Sequence, residues 1–125
     1  MPRKPLGFDV VRELARALPD VEESFGRGVP ALKVRGRLLT CPAINKSAEP
    51  DSLVVKIGFD QRAELIAEDP DVYYVTDHYV KYPSVPVRLS RIDRASLRGL
   101  LASAWKFVTQ ETETKKLRVR TRGAS

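Results

Sequence analysis

The chain has 125 residues, one cysteine, one histidine and a formal net charge of +6. That length suits one domain with its own hydrophobic core, and a lone cysteine leaves no intramolecular disulfide framework. No apolar run reaches the ~20 residues that span a bilayer, and "MPRKPLGFDV" lacks the apolar stretch of a secretory signal. A cytoplasmic protein without membrane contact is therefore expected.

The positive charge is unevenly spread. Residues 27–56 carry Arg27, Lys33, Arg35, Arg37, Lys46 and Lys56 against only Glu49 and Asp51. Residues 111–125 carry Lys115, Lys116, Arg118, Arg120 and Arg122 against Glu111 and Glu113. Charge gathered in this way points to a polyanionic partner more strongly than net charge alone.

In chain order, "FDVVRELARALP" reads as a first helix. Asp9 caps it, Val11, Leu14, Ala15 and Leu18 form its apolar stripe, and Pro19 stops it. The next stretch, "VEESFGRGVPALKVRGRLLTCPAI", changes from period 3.6 to period 2 and predicts short antiparallel strands near 22–25, 30–34 and 37–41. Gly26 and Gly28 in "GRG" mark a bulge or tight turn, since neither phosphate-loop nor dinucleotide spacing follows them. Around Gly36 two registers are open. A three-residue loop would pair Lys33 with Arg37 and Leu32 with Leu38, whereas a two-residue Arg35-Gly36 turn shifts the pairing.

"NKSAEPDS" over 45–52 is a polar loop, and "LVVKI" is a central strand, apolar on both faces except at Lys56. "FDQRAELIAEDP" predicts a short helix capped by Asp60 and ended by Pro70. "VYYV" and "VPVRL" are further strand candidates, the second pushed towards a sheet edge by Pro83 and Pro86. "IDRASLRGLLASAWKFV" is the strongest helix, with Leu97, Leu100, Leu101, Ala104, Trp105 and Val108 on one broad face. The fold class is thus α+β, a two-layer sandwich of an antiparallel sheet with helices on one face. One domain is expected over 1–110, followed by a basic, disordered tail over 111–125.

Several side chains are candidates for function. The hairpin "LKVRGRLL" brings Lys33, Arg35 and Arg37 to one tip, where they could follow phosphates, or merely block strand addition at an edge. Lys46, Lys56 and Lys81 extend the same positive track. Tyr73, Tyr74, Tyr79 and Tyr82 surround His78, and alternation places half of them in the core. A catalytic Cys41–His78 pair lacks an orienting third group, since there is no second histidine, and one Cys with one His cannot complete a common zinc site. No cofactor or metal is expected, and no enzyme. Arg91, Arg94 and Arg98 form a helix ridge that reads as a solvated face.

Three stretches carry a family resemblance: "LPDVEESFGRGVPALKVRGRLLT", "LVVKIGFDQRAELIAEDP" and "DHYVKYPSVPVRL". In their order and spacing the chain resembles the MmcQ/YjbR family of small bacterial proteins, from about Phe8 to Val108. The resemblance implies a CyaY-like α+β fold and DNA binding through a double-wing arrangement. Lys33, Arg37, Lys56, His78 and Lys81 stand at positions the family fills alike, while Ser84 stands where its members often carry Trp. The expected function is binding of duplex DNA with weak sequence preference, through Lys33, Arg35, Arg37, Lys46, Lys56 and Lys81. The alternative is a small-molecule- or protein-binding module of CyaY-like fold, with a pocket near His78, Tyr79 and Tyr82.

Overall fold

The structure, a computed structural model, describes residues 6–26 and 28–124, with side chains through Gln110. Its elements are α1 (Phe8–Arg16), β1 (Val21–Gly26), β2 (Val29–Val34), β3 (Arg37–Pro42), β4 (Ser52–Lys56), α2 (Phe59–Glu68), β5 (Ser84–Arg88) and α3 (Arg94–Ala124). The five strands form one antiparallel sheet in the order β1-β2-β3-β4-β5. Each connection joins spatial neighbours, so the sheet is a meander and the fold class is α+β.

Alternation along the strands sorts side chains onto two faces. Leu32, Leu39, Leu53, Val55, Val85 and Val87, all fully buried, share a core with Leu97, Leu101, Ala104 and Val108 of α3 and Val11, Leu14 and Ala15 of α1. Burying one such Val or Leu stabilises by roughly 1.5–3 kcal/mol, so this inner layer is the main source of cohesion. Polar ties close its rim. The Trp105 indole N–H donates to the Pro19 carbonyl at 2.8 Å, and Arg12 of α1 pairs with Glu23 of β1 at 2.6 Å. The α2 helix packs at the β5 edge of the sheet.

One open choice is settled and three sequence expectations change in detail. The β2–β3 connection is the two-residue Arg35-Gly36 turn, with φ of +52° and +81°, and Val34 faces Arg37 while Lys33 faces Leu38. Both central residues have positive φ, the backbone of a hairpin turn whose twist matches the strands. The helices α1 and α2 begin after Gly7 and Gly58, without side-chain caps, and Asp9 and Asp60 lie in the first turns. There the carboxylates favour the positive end of the helix dipole instead of capping it. "VYYV" is no regular strand: Tyr73 makes one isolated bridge to Val87, since the turns at 69–72 and 76–82 leave no room for a longer ladder. Finally, the backbone of α3 continues to Ala124 where a disordered tail is expected. Between Gly99 and Gly123 that stretch contains no glycine or proline to break it. Side chains past Gln110 lie outside the described residues.

The turn generates a first prediction. A Cβ on Gly36 meets no atom within 4 Å, so Gly36→Ala pays only for its left-handed backbone. Chemical denaturation should show a loss of about 1–2 kcal/mol. Gly26→Ala, equally uncrowded but without positive φ, should stay within about 0.5 kcal/mol of the parent. Equal effects at the two positions would contradict the two-residue turn.

Candidate functional site

The outer face of the sheet, opposite α1 and α3, holds the side chains that alternate with the core. Cross-strand pairs set Cys41 beside Val54, Val54 beside Pro86, and Lys56 beside Ser84. Further along, Lys33 lies between Leu38 on β3 and Glu22 on β1. The β4 strand is apolar on both sides because the segment carrying His78, Tyr79 and Tyr82 folds over this second face. Where they meet it, a cavity of about 230 Å³ remains. Cys41, Val54, Lys56 and Ser84 form its floor, His78, Tyr79 and Tyr82 its wall, and Leu38, Pro42 and Ile44 its rim.

The wall is held by a residue that sequence reasoning missed. Arg62 of α2 is nine-tenths buried and has no carboxylate partner among the described residues. Its Nη1 donates to the carbonyls of Tyr82 at 3.0 Å, Ser84 at 3.2 Å and Tyr79 at 3.5 Å, while Nη2 donates to Val80 at 3.2 Å. The guanidinium also stacks 5.0 Å from the Phe59 ring centre, one helical turn earlier. A planar cation with five donors and no acceptor suits a ring of converging carbonyls. In sequence, Arg62 reads as one more charge on a polar helix face. The only local signal is the Phe59–Arg62 spacing of three.

A second tie joins the 43–51 loop to the same wall. Arg88 lies 4.4 Å over the Tyr74 ring, its Nε donates to both Glu49 carboxylate oxygens at 3.0 Å, and its Nη1 donates to the Pro70 and Asp71 carbonyls. The guanidinium holds the Glu49 carboxyl below its ordinary range. The Tyr74 hydroxyl accepts from the Glu49 N–H at 2.9 Å and bonds to the Ser52 hydroxyl at 2.5 Å. Ser47 and Thr76 add a hydroxyl pair at 2.8 Å.

Tyr73 and Tyr79 are buried, but on different sides of the sheet. Tyr73 joins the main core, whereas Tyr79 lines the outer cavity. His78 stands edge-on to Tyr79 at 4.7 Å between ring centres and 6.1 Å from Tyr82, which is half exposed. Burial pushes the Cys41 thiol up from its ordinary value, and the Lys56 charge offsets that only in part. Among the described residues, no group of three His, Cys, Asp or Glu side chains comes together to hold a metal.

The six predicted basic residues divide into two sets. Arg35 and Arg37 lie at the hairpin end, where Arg35 pairs with Asp20 at 3.5 Å. Lys33 and Lys56 share the outer face, and the exposed Lys46 and Lys81 sit on the 43–51 and 76–83 segments that frame the cavity. Among the described residues, none of these four lysines forms an ion pair. His78, Tyr79 and Tyr82 do meet, around one cavity. A larger, more open cleft of about 570 Å³ runs between the start of α2 and α3, and none of the predicted site residues lines it.

The YjbR family profile matches residues 16–107. An uncharacterised protein of Mycobacterium tuberculosis (strain H37Rv) is 46% identical over 41 residues, 33% of this chain and 32% of that protein. An uncharacterised protein of Mycobacterium bovis matches to the same extent, so the alignment spans about a third of these relatives' length. The crystal structure of Deinococcus radiodurans protein DR2400, a DUF419 domain, superposes with a TM-score of 0.71 at 22% identity. That likeness covers 90% of this chain and 85% of the other, and it establishes the shared fold. No helix among the described residues is long and apolar enough to cross a membrane.

Two predictions follow from the wall and floor. Arg62→Met should cost about 3 kcal/mol in chemical denaturation, because four carbonyls lose a charged donor, and amide exchange should speed up over 79–84. A loss under about 0.5 kcal/mol would mean that the guanidinium is dispensable. For Cys41, folding keeps the thiol protonated above its ordinary value of 9.0. The stability this lends is complete below the unfolded-state value and is lost as pH rises through the folded one. Alkylation at about pH 8 should be slower in the native protein than in urea, and Cys41→Ser should remove that part of the alkaline destabilisation. Equal native and unfolded rates would contradict a buried thiol.

Proposed function

The chain belongs to the YjbR family, and from that premise we propose that it is a non-catalytic nucleic-acid-binding module that grips phosphates with the outer face of its sheet. The observation that carries this reading is the group of four lysines around one face, Lys33, Lys46, Lys56 and Lys81, without ion pairs among the described residues. The arginines behave differently. Arg12, Arg35, Arg88 and Arg94 each pair with a carboxylate, and Arg62 serves backbone carbonyls. Arginine charge is largely committed to the fold, and lysine charge is left to solvent or to a partner.

Phosphate contacts of this kind fix a protein on a nucleic acid without reading its sequence. Flexible, strongly hydrated ammonium groups at the rim of a face suit that role. The centre of gravity thus moves from the hairpin tip to the sheet face, since Asp20 already engages Arg35. Arg37 pairs with the core residue Val34 and so stands on the inner face of the sheet, away from this surface. Duplex DNA is the first partner to test, with weak sequence preference.

With four phosphate contacts, log affinity should fall against log salt with a slope of about −3.6. Replacing Lys33, Lys46, Lys56 and Lys81 together with Ser should bring the slope close to zero, with folding unchanged by circular dichroism and melting. Arg35→Ser should alter the slope by less than about one unit. Binding that is indifferent to the four lysines but abolished by deleting residues 111–125 would overturn the proposal.

A further inference from the structure

The cavity on the same face has a chemistry of its own, and a phosphate track does not require it. None of the residues lining it is acidic, while Lys56 stands on its floor and His78 in its wall. A charged group entering it meets a cation with no competing carboxylate in the lining. Much of the remaining lining is apolar, with Val54 below and Leu38, Pro42 and Ile44 at the rim. Ile44 is 71% exposed and Tyr82 50% exposed, so two large hydrophobic side chains face solvent at the mouth. An occupant with an apolar body would cover both.

Volume limits that occupant. At about 230 Å³ the cavity exceeds the ~150 Å³ that accommodates a benzene ring, but falls short of the ~300 Å³ at which drug-sized sites begin. One ring or branched alkyl group with a small headgroup fills it. The site is also preorganised, because Arg62 fixes the backbone of residues 79–84 from behind and His78 is set edge-on against Tyr79. Little ordering is left to oppose binding.

We infer that this cavity is a binding site for a compact organic anion, a carboxylate or phosphate monoester on an aromatic or branched apolar group. Lys56 takes the headgroup, and Val54, Leu38 and Ile44 take the body. The site can exist whether or not the sheet face binds nucleic acid, and its test contains none.

Cys41 supplies the readout, since the only cysteine of the chain lies on the cavity floor. An occupant must slow its alkylation by iodoacetamide. The probes are benzoate and phenyl phosphate, with neutral benzamide as their counterpart, at equal ionic strength and fixed pH. For a small ligand with a dissociation constant of about 1 mM, about 10 mM of either anion should slow labelling roughly tenfold. Benzamide should slow it less than twofold. Lys56→Met should abolish the protection by both anions, and Lys106→Met, which removes the same charge from α3, should preserve it. Tyr82→Ala, which opens the wall without touching the charge, should weaken protection several-fold and provides a second variant if Lys56→Met melts early. Protection by only one of the anions identifies the headgroup. Absence of protection by both, equal protection by benzamide, or full protection in a folded Lys56→Met protein would overturn the inference.

Discussion

The arrangement of the outer face depends on one buried cation. Residues 72–83 form no regular strand, and a segment without a ladder must satisfy its carbonyls in some other way. Turn hydrogen bonds serve the Tyr79 and Tyr82 carbonyls in part, and Arg62 gathers these two with those of Val80 and of Ser84 at the start of β5, using two of its nitrogens. A lysine would offer fewer donors from a single point, and a carboxylate would repel the carbonyls. Because α2 is rooted at the β5 edge, the guanidinium also links that helix to the wall of the cavity. Without this tie the tyrosines and His78 would have no fixed position above Lys56, and the outer face would be an open sheet with an exposed apolar centre.

A division of labour among the cations follows. Arginine forms the contacts that need a planar fork or a ring to stack on: Arg88 on Tyr74 and Glu49, Arg62 on four carbonyls and Phe59, Arg12 on Glu23. Each joins segments distant in sequence. Among the described residues, the four lysines of the outer face form no ion pair and leave their charge to that face. Exposed ion pairs stabilise little, so the arginine contacts matter for placing loops more than for cohesion, which the apolar inner layer supplies.

How much of this could be read from sequence varies with the range of the interaction. The inner faces of the strands and the stripe of α3 were legible, since Leu32, Val34, Leu53, Val55, Leu97 and Leu101 lie where periodicity puts them. The positive track was legible as composition, but not as geometry. Nothing local distinguishes Arg35 of the β2–β3 turn, which meets Asp20 of the α1–β1 turn, from Lys46, which meets no carboxylate among the described residues. The clustering of His78, Tyr79 and Tyr82 followed from adjacency, whereas their placement over Cys41 and Lys56 depends on long-range packing. Arg62 was illegible for the same reason: its acceptors lie 17 to 22 residues further along the chain. Cap positions failed more narrowly, because Gly7 and Gly58 start the helices two residues before the aspartates that sequence favours.

Register decides which side chains reach the cavity, and one irregularity sets it. From the Arg35-Gly36 turn, Val34 pairs with Arg37 and Lys33 with Leu38, which would carry Leu32 to Leu39 if the ladder were regular. Instead the register shifts between Leu32 and Lys33, so that Leu32 faces Thr40, and Leu39 and Thr40 are both fully buried. Two adjacent buried residues on one strand are the signature of a bulge, which re-aims everything beyond it. Strict alternation from Leu39 would have turned Thr40 outward and Cys41 under the helices. With the extra residue, Thr40 turns to the core, its hydroxyl satisfied by the Val54 carbonyl at 2.8 Å, and Cys41 pairs with Val54 on the outer face. The β3–β4 pairing continues this phase, so Val54 and Lys56 lie on the cavity side while Leu53 and Val55 enter the core. A one-residue slip would exchange these sets and bury an ammonium under α3. The burial of Lys56 would cost far more than the bulge, and this asymmetry holds the hairpin in the register that exposes Lys33 and Lys56 together.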